Sequence, residues 1–134
     1  MSPGRRAGEL QDLLASGVAA APGGGPPLGA VMFALEQAAA SLFNGRRELA
    51  RQRHMIISAD ASLQERELIK LASLSDALAD GLRRRGVPAP AAGLAAGAGV
   101  LLFQTAYARW IAGGTGMDIL LHEALLARGF HAAR

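Results

Sequence analysis

From Gly86 to Ala108 the chain carries no charged side chain. A helix crossing the apolar layer of a bilayer needs about 20 such residues, so this segment must be shielded from water on most sides, by lipid or by protein. Pro88 and Pro90 shorten the helix it can form. Much of it is alanine and glycine, and Gln104, Thr105 and Tyr107 sit near its end. These features favour a helix buried on two sides, one face in its own core and the other against a second chain, over a membrane span. Gly93, Gly97 and Ala98, with Ala91, Ala92 and Ala95, leave room for another backbone to come close. The last apolar segment agrees: Ile119, Leu120, Leu121, Leu125 and Leu126 cover more than one helical face, and broad apolar surfaces of that kind mark interfaces. Two such helices from each of two subunits make an intersubunit four-helix bundle with twofold symmetry. The expected partner is therefore a second copy of the chain, joined through helices at about 89–112 and 116–129, with no membrane involved.

The remainder reads as helix. Alanine and leucine dominate while Val, Ile and Thr are few, a balance that favours helices over strands. Leu10, Leu13, Leu14 and Val18 fall at helical spacing before the Pro22-Gly23-Gly24-Gly25 connector. Leu28, Val31, Met32, Leu35, Ala38, Ala39, Leu42 and Phe43 then make a helix apolar almost all round, with Glu36 its one charge, and such a helix is a buried one. A third helix is basic at its start and apolar at its end. Ser62-Leu63-Gln64-Glu65 has the form of a capping box and opens a fourth, whose stripe is Leu68, Leu71, Leu74, Leu78 and Leu82. Arg83-Arg84-Arg85-Gly86 closes it with cations and a glycine. The expectation is an all-α fold, one domain over 1–134, with helices at about 6–20, 27–43, 46–58, 63–85, 89–112 and 116–129.

Charge and chemistry narrow the function. The net charge of +3 invites a nucleic-acid reading, but such a footprint needs basic residues gathered on one face. Here Arg46, Arg47, Arg51 and Arg53 are interleaved with Glu48, and Arg83–Arg85 close a helix, so both clusters read as solvated helix surface. The absence of cysteine excludes disulfides, zinc–thiolate sites and thiol nucleophiles, and is compatible with a reducing compartment; no signal peptide is readable at the N-terminus, and a cytoplasmic location is expected. His54, His122 and His131 are the only histidines. His122-Glu123 does not continue as a zincin motif because position 126 is Leu. No serine occupies a nucleophile elbow. Gly97-Ala98-Gly99 lacks the third glycine of a dinucleotide loop. No enzyme, metal or cofactor is expected.

Three segments carry a family resemblance. Arg46-Arg47-Glu48-Leu49-Ala50-Arg51-Gln52-Arg53 resembles the arginine-rich opening of a C-terminal-domain helix in TetR/AcrR transcription regulators. Glu65 to Leu71, followed by Leu78 to Pro88, is similar to the next long helix and its stop. Phe103-Gln104-Thr105-Ala106-Tyr107-Ala108-Arg109-Trp110 resembles the end of the penultimate helix. The resemblance implies a six-helix bundle of the TetR C-terminal-domain type that dimerises through its last two helices and holds a small apolar or amphipathic effector. Operator DNA would be met only through an N-terminal helix-turn-helix domain, which the chain is expected to lack. The implied pocket candidates are Met32, Glu36, Phe43, His54, Met55, Leu71, Leu74, Phe103, Gln104, Tyr107 and Trp110. Each also reads as plain core or surface. Glu36, costly on an apolar face unless paired, either fixes a ligand's polar end, pairs with His54 or an arginine, or sits at an exposed edge. The expected function is effector sensing and dimerisation in a TetR-like repressor; the alternative is a helical homodimerisation module without a small-molecule ligand.

Overall fold

The computed structural model describes residues 3–113, 116–117 and 120–123. Five helices are delimited among them: α1 (Pro3–Ala20), α2 (Pro27–Leu42), α3 (Arg47–Ser58), α4 (Ala61–Arg84) and α5 (Ala89–Ile111). A sixth helical segment is represented by Met117 and residues 120–123, of which Met117, Leu120 and Leu121 are buried. No strand occurs among the described residues. The fold is all-helical, as the alanine- and leucine-rich sequence implies. The rest of the sixth helix expected at 116–129, including Ile119, Leu125 and Leu126, lies outside the described residues, as does His131.

Helices α1, α2, α5 and α4 form a closed ring in which each packs on its two neighbours, and α3 lies across α4 and α5. The core is apolar throughout: Leu14 and Val18 from α1, Val31, Met32 and Leu35 from α2, Leu78 and Leu82 from α4, and Leu102 and Trp110 from α5. No polar or charged residue is buried among the described residues. Three seams of the ring close on a glycine. A methyl group at Gly17 would lie 2.9 Å from the Ala34 side chain, one at Gly81 would lie 2.9 Å from Val18, and one at Gly99 would lie 2.3 Å from Val31. The fourth seam, between α4 and α5, is filled by larger side chains, among them Leu71, Leu74, Val100 and Phe103.

The same contacts set helix direction. Gly81 meets Ala15 and Val18, and Gly99 meets Val31 and Leu35, while Phe43 at the end of α2 meets Phe103, Tyr107 and Trp110 at the end of α5. Hence α1 runs parallel to α4 and α2 parallel to α5. Each parallel pair brings two helix C-termini, with their unsatisfied carbonyls and like partial charges, to one end of the ring. Arginines occupy both ends. Arg85 donates from Nη1 to the carbonyls of Val18 (2.6 Å) and Ala21 (2.8 Å) and from Nη2 to that of Pro22 (3.1 Å), so the residue that ends α4 also caps α1. At the opposite end Arg51 Nε donates to the Ile111 carbonyl of α5 at 2.9 Å, and Arg46 reaches the Leu42 carbonyl of α2 at 3.5 Å. Parts of both arginine clusters therefore act as caps and are not simply solvated surface.

Helix α4 begins two residues earlier than its capping-box pattern indicates. Asp60 is the cap, its Oδ1 accepting from the amides of Ser62 (2.9 Å) and Leu63 (3.2 Å). An extended aspartate directly before the helix offers its carboxylate to the free amides, while Gln64 turns back to the Ser58 carbonyl at 2.9 Å and ties α4 to α3. Gly86, at φ 94, ends α4 as expected: its amide and that of Val87 return to the carbonyls of Arg83 (2.9 Å) and Leu82 (3.1 Å).

Replacing Gly99 by alanine, normally a gain inside a helix, is expected to destabilise the fold by about 1–3 kcal/mol through overpacking. The same change at Gly8, where a methyl meets nothing within 4 Å, is expected to stabilise it by about 0.5–1 kcal/mol. Arg85→Met leaves the α1 carbonyls uncapped and is expected to cost about 1.5–3 kcal/mol. Urea denaturation of the three variants measures each effect.

Candidate functional site

Phe103, Tyr107 and Trp110 recur at helical spacing along one stripe of α5, and Phe43, the first residue past α2, closes onto them. Its ring lies 5.6 Å from Phe103, 6.0 Å from Tyr107 and 5.7 Å from Trp110, centre to centre, at tilted to edge-on angles. Tyr107 also contacts Phe103 at 6.1 Å and Trp110 at 5.8 Å. Such pairs contribute about 0.5–1.5 kcal/mol each beyond burial. Trp110 is buried, whereas Phe43, Phe103 and Tyr107 are half-buried, so the cluster reaches the surface at the end of the bundle where α3 begins. There the Arg47 guanidinium lies 6.0 Å over the Trp110 ring, within cation–π range.

Beneath Phe43 and Phe103 is a small apolar hollow of about 10 Å³. Leu14, Leu35, Leu71, Leu74, Leu78 and Val100 also line it. It has room for about one water molecule and presents no polar side chain to hold one. Beside it, at the surface, Glu67 of α4 is shared by two cations. Arg53 of α3 forms an ion pair with its carboxylate, and Lys70 Nζ lies 3.9 Å away. The Tyr107 hydroxyl lies near the Arg53 charge. Burial, and then the neighbouring Arg53 charge, hold the Lys70 ammonium below the usual lysine range. Burial raises the Tyr107 phenol above its ordinary value, against the opposing pull of Arg53.

Of the residues singled out by sequence, Phe43, Leu71, Leu74 and Phe103 line the cavity, and Tyr107 and Trp110 complete the aromatic cluster above it. Met32 is core. Glu36 is half-buried on α2, at an edge of its otherwise apolar face. His54, Met55 and Gln104 are exposed, which places them away from the interior. Met55 is 67% exposed because α3 turns Ala50 and Ile57 inward, leaving Met55 and Ile56 on its outer side. Gln104 stands two residues, about 200° of helix, from both Leu102 and Ala106, which are buried. His54 is 3.4 Å from the Ser58 hydroxyl. The Arg53–Glu67–Lys70 group did not emerge from sequence. Glu67 and Lys70 are a readable i,i+3 pair, but Arg53 joins them only across the α3–α4 turn. No group of three metal-ligating side chains is found among the described residues.

The outer face of α5 has a different character. Leu94 is 77% and Leu101 is 44% exposed, seven residues apart on one stripe with exposed Gly97, Gln104 and Ala108. By length and composition α5 could cross a membrane, yet its opposite stripe, Ala92, Ala96, Gly99, Leu102, Ala106 and Trp110, is buried in the ring. No family model and no curated protein matches the chain in sequence.

Tyr107 is the single tyrosine, so its titration is directly observable by ultraviolet difference absorbance. The midpoint is expected above 10.0, the ordinary value. Because the folded state then holds a proton that the unfolded chain has lost, stability is expected to fall as pH rises past about 10. A midpoint at or below that value contradicts the burial of the phenol.

Proposed function

We propose that this chain is the dimerisation and effector-sensing domain of a TetR-like transcription regulator, and that it self-associates through α5. The carrying observation is the outer stripe of α5, where Leu94 and Leu101 stand exposed in a surface without charge from Pro88 to Ala108. A soluble lone subunit gains nothing from such a stripe. Packed against its symmetry mate, it buries four leucines at about 1.5–3 kcal/mol each. That total is comparable to the roughly 4–15 kcal/mol cost of association, and Met117, Leu120 and Leu121 of the following segment, already buried in the subunit, add no surface to it. Gly93 and Gly97, where an added methyl meets nothing within 4 Å, allow the two copies of α5 to approach closely. In this reading DNA is contacted by a helix-turn-helix domain and not by these helices.

Sensing would act on the closed end of the bundle. The cavity under Phe43 and Phe103 admits nothing larger than water, so an effector must select a minor conformation in which Phe43, the first residue past α2, leaves its three ring contacts and swings out. The closed core also favours a second reading, a helical dimerisation module without a ligand.

Sedimentation of the chain is expected to give twice the monomer mass. Leu94→Glu with Leu101→Glu, both at exposed positions, is expected to yield a monomer of unchanged helical circular dichroism. A wild-type monomer sinks the dimerisation proposal.

A further inference from the structure

We infer that the effector of this domain is a small organic anion with an apolar body, its carboxylate taken by Arg53 and Lys70 beside Tyr107 and its body inserted beneath Phe43 and Phe103. The inference rests on the sensing reading above and gives the ligand its chemistry.

Three observations carry it. The first is an imbalance of charge. Arg53, exposed at the surface, and the part-buried Lys70 share the one Glu67 carboxylate, leaving two cations to one anion. The two cations repel each other, and burial weakens the hydration that would otherwise screen them. A second carboxylate would relieve that repulsion, whereas a cationic ligand would increase it. The second is adjacency. Lys70 precedes Leu71, and Phe103 lies one helical turn before Tyr107; Leu71 and Phe103 both line the cavity. The polar group and the apolar void are therefore one turn apart, the layout that an amphipathic ligand matches. The third is the chemistry of the lining. The cavity is walled by leucine, valine, alanine and phenylalanine, so it can hold only the apolar part of a ligand, and the polar part must remain at the mouth. Opening that mouth requires Phe43 to leave its three ring contacts. An entering alkyl or aryl body replaces those contacts in kind.

Trp110, the only tryptophan, reports on this movement because its ring contacts Phe43. Octanoate and its uncharged counterpart 1-octanol can be titrated against the whole chain while Trp110 emission is followed. Octanoate is expected to change the emission saturably and to bind about tenfold more tightly than octanol, the scale of one hydrogen bond to a charged group. Lys70→Met is expected to bring octanoate to the level of octanol. Glu67→Gln, which removes the competing carboxylate, is expected to tighten octanoate binding about threefold or more, a gain that a merely structural carboxylate would not give. Octanol binding as tight as octanoate, or weaker octanoate binding in Glu67→Gln, overturns the anion assignment and leaves sensing in place. If neither compound alters Trp110 emission, the sensing reading falls with it.

Discussion

Parallel packing of helices is the constraint around which this bundle is organised. When α1 lies parallel to α4, and α2 to α5, each pair exposes two sets of terminal carbonyls at the same end. Their partial negative charges add where an antiparallel pair would oppose them. Arg85 at one end, and Arg46 and Arg51 at the other, turn that liability into a join. Arg85 is the more consequential because it donates to the carbonyls of Val18, Ala21 and Pro22 together, where Arg46 and Arg51 reach one each. It couples the end of α4 to the end of α1 and closes one side of the ring. A guanidinium suits this work: its donors fan out in one plane and it keeps its charge throughout the physiological range.

Seam width follows from side-chain size. Where Gly17 and Gly81 face their neighbours, helix backbones come close, and at Gly99 the Val31 side chain takes the space a methyl would need. The α4–α5 seam has no such glycine. Its leucines and phenylalanines hold the two helices apart without filling every space between them, and the small cavity lies among them. The aromatic cluster covers that cavity, and part-buried Glu67, Lys70 and Tyr107, with the exposed Arg53, stand beside the cluster. A small apolar hollow near two cations that share one carboxylate gives the proposed sensor both its apolar and its ionic component.

The two faces of α5 divide the labour of the domain. Its inner stripe of alanine, glycine, leucine and tryptophan lies in the ring, and the same helix presents leucine and small residues outward. This explains why one uncharged segment satisfies the length and composition of a membrane span while being half engaged in a protein core. It also places the proposed dimer contact and the proposed ligand cluster on one rigid helix, since Phe103, Tyr107 and Leu101 are neighbouring positions of α5. A displacement at the cluster would thus reach the partner without an intervening joint.

Periodicity and punctuation alone determined the helical class, the order of the helices and most of their limits. Leucine spacing repeats every turn, and Pro27, Gly86 and Pro90 act through local backbone geometry that needs no distant partner. The stripe Phe103–Tyr107–Trp110 was legible for the same reason. Sequence also suggested interior positions for Met55 and Gln104, which the fold leaves exposed, because an apolar or amide side chain does not reveal which side of its helix a neighbour will cover. Tertiary structure decided the capping of α1 by Arg85, that of α5 by Arg51, and the meeting of Arg53 with Glu67. Each of those depends on where a charged group finds carbonyls or an opposite charge in space, and electrostatic contact of that kind is set by distance through the fold and not by separation along the chain.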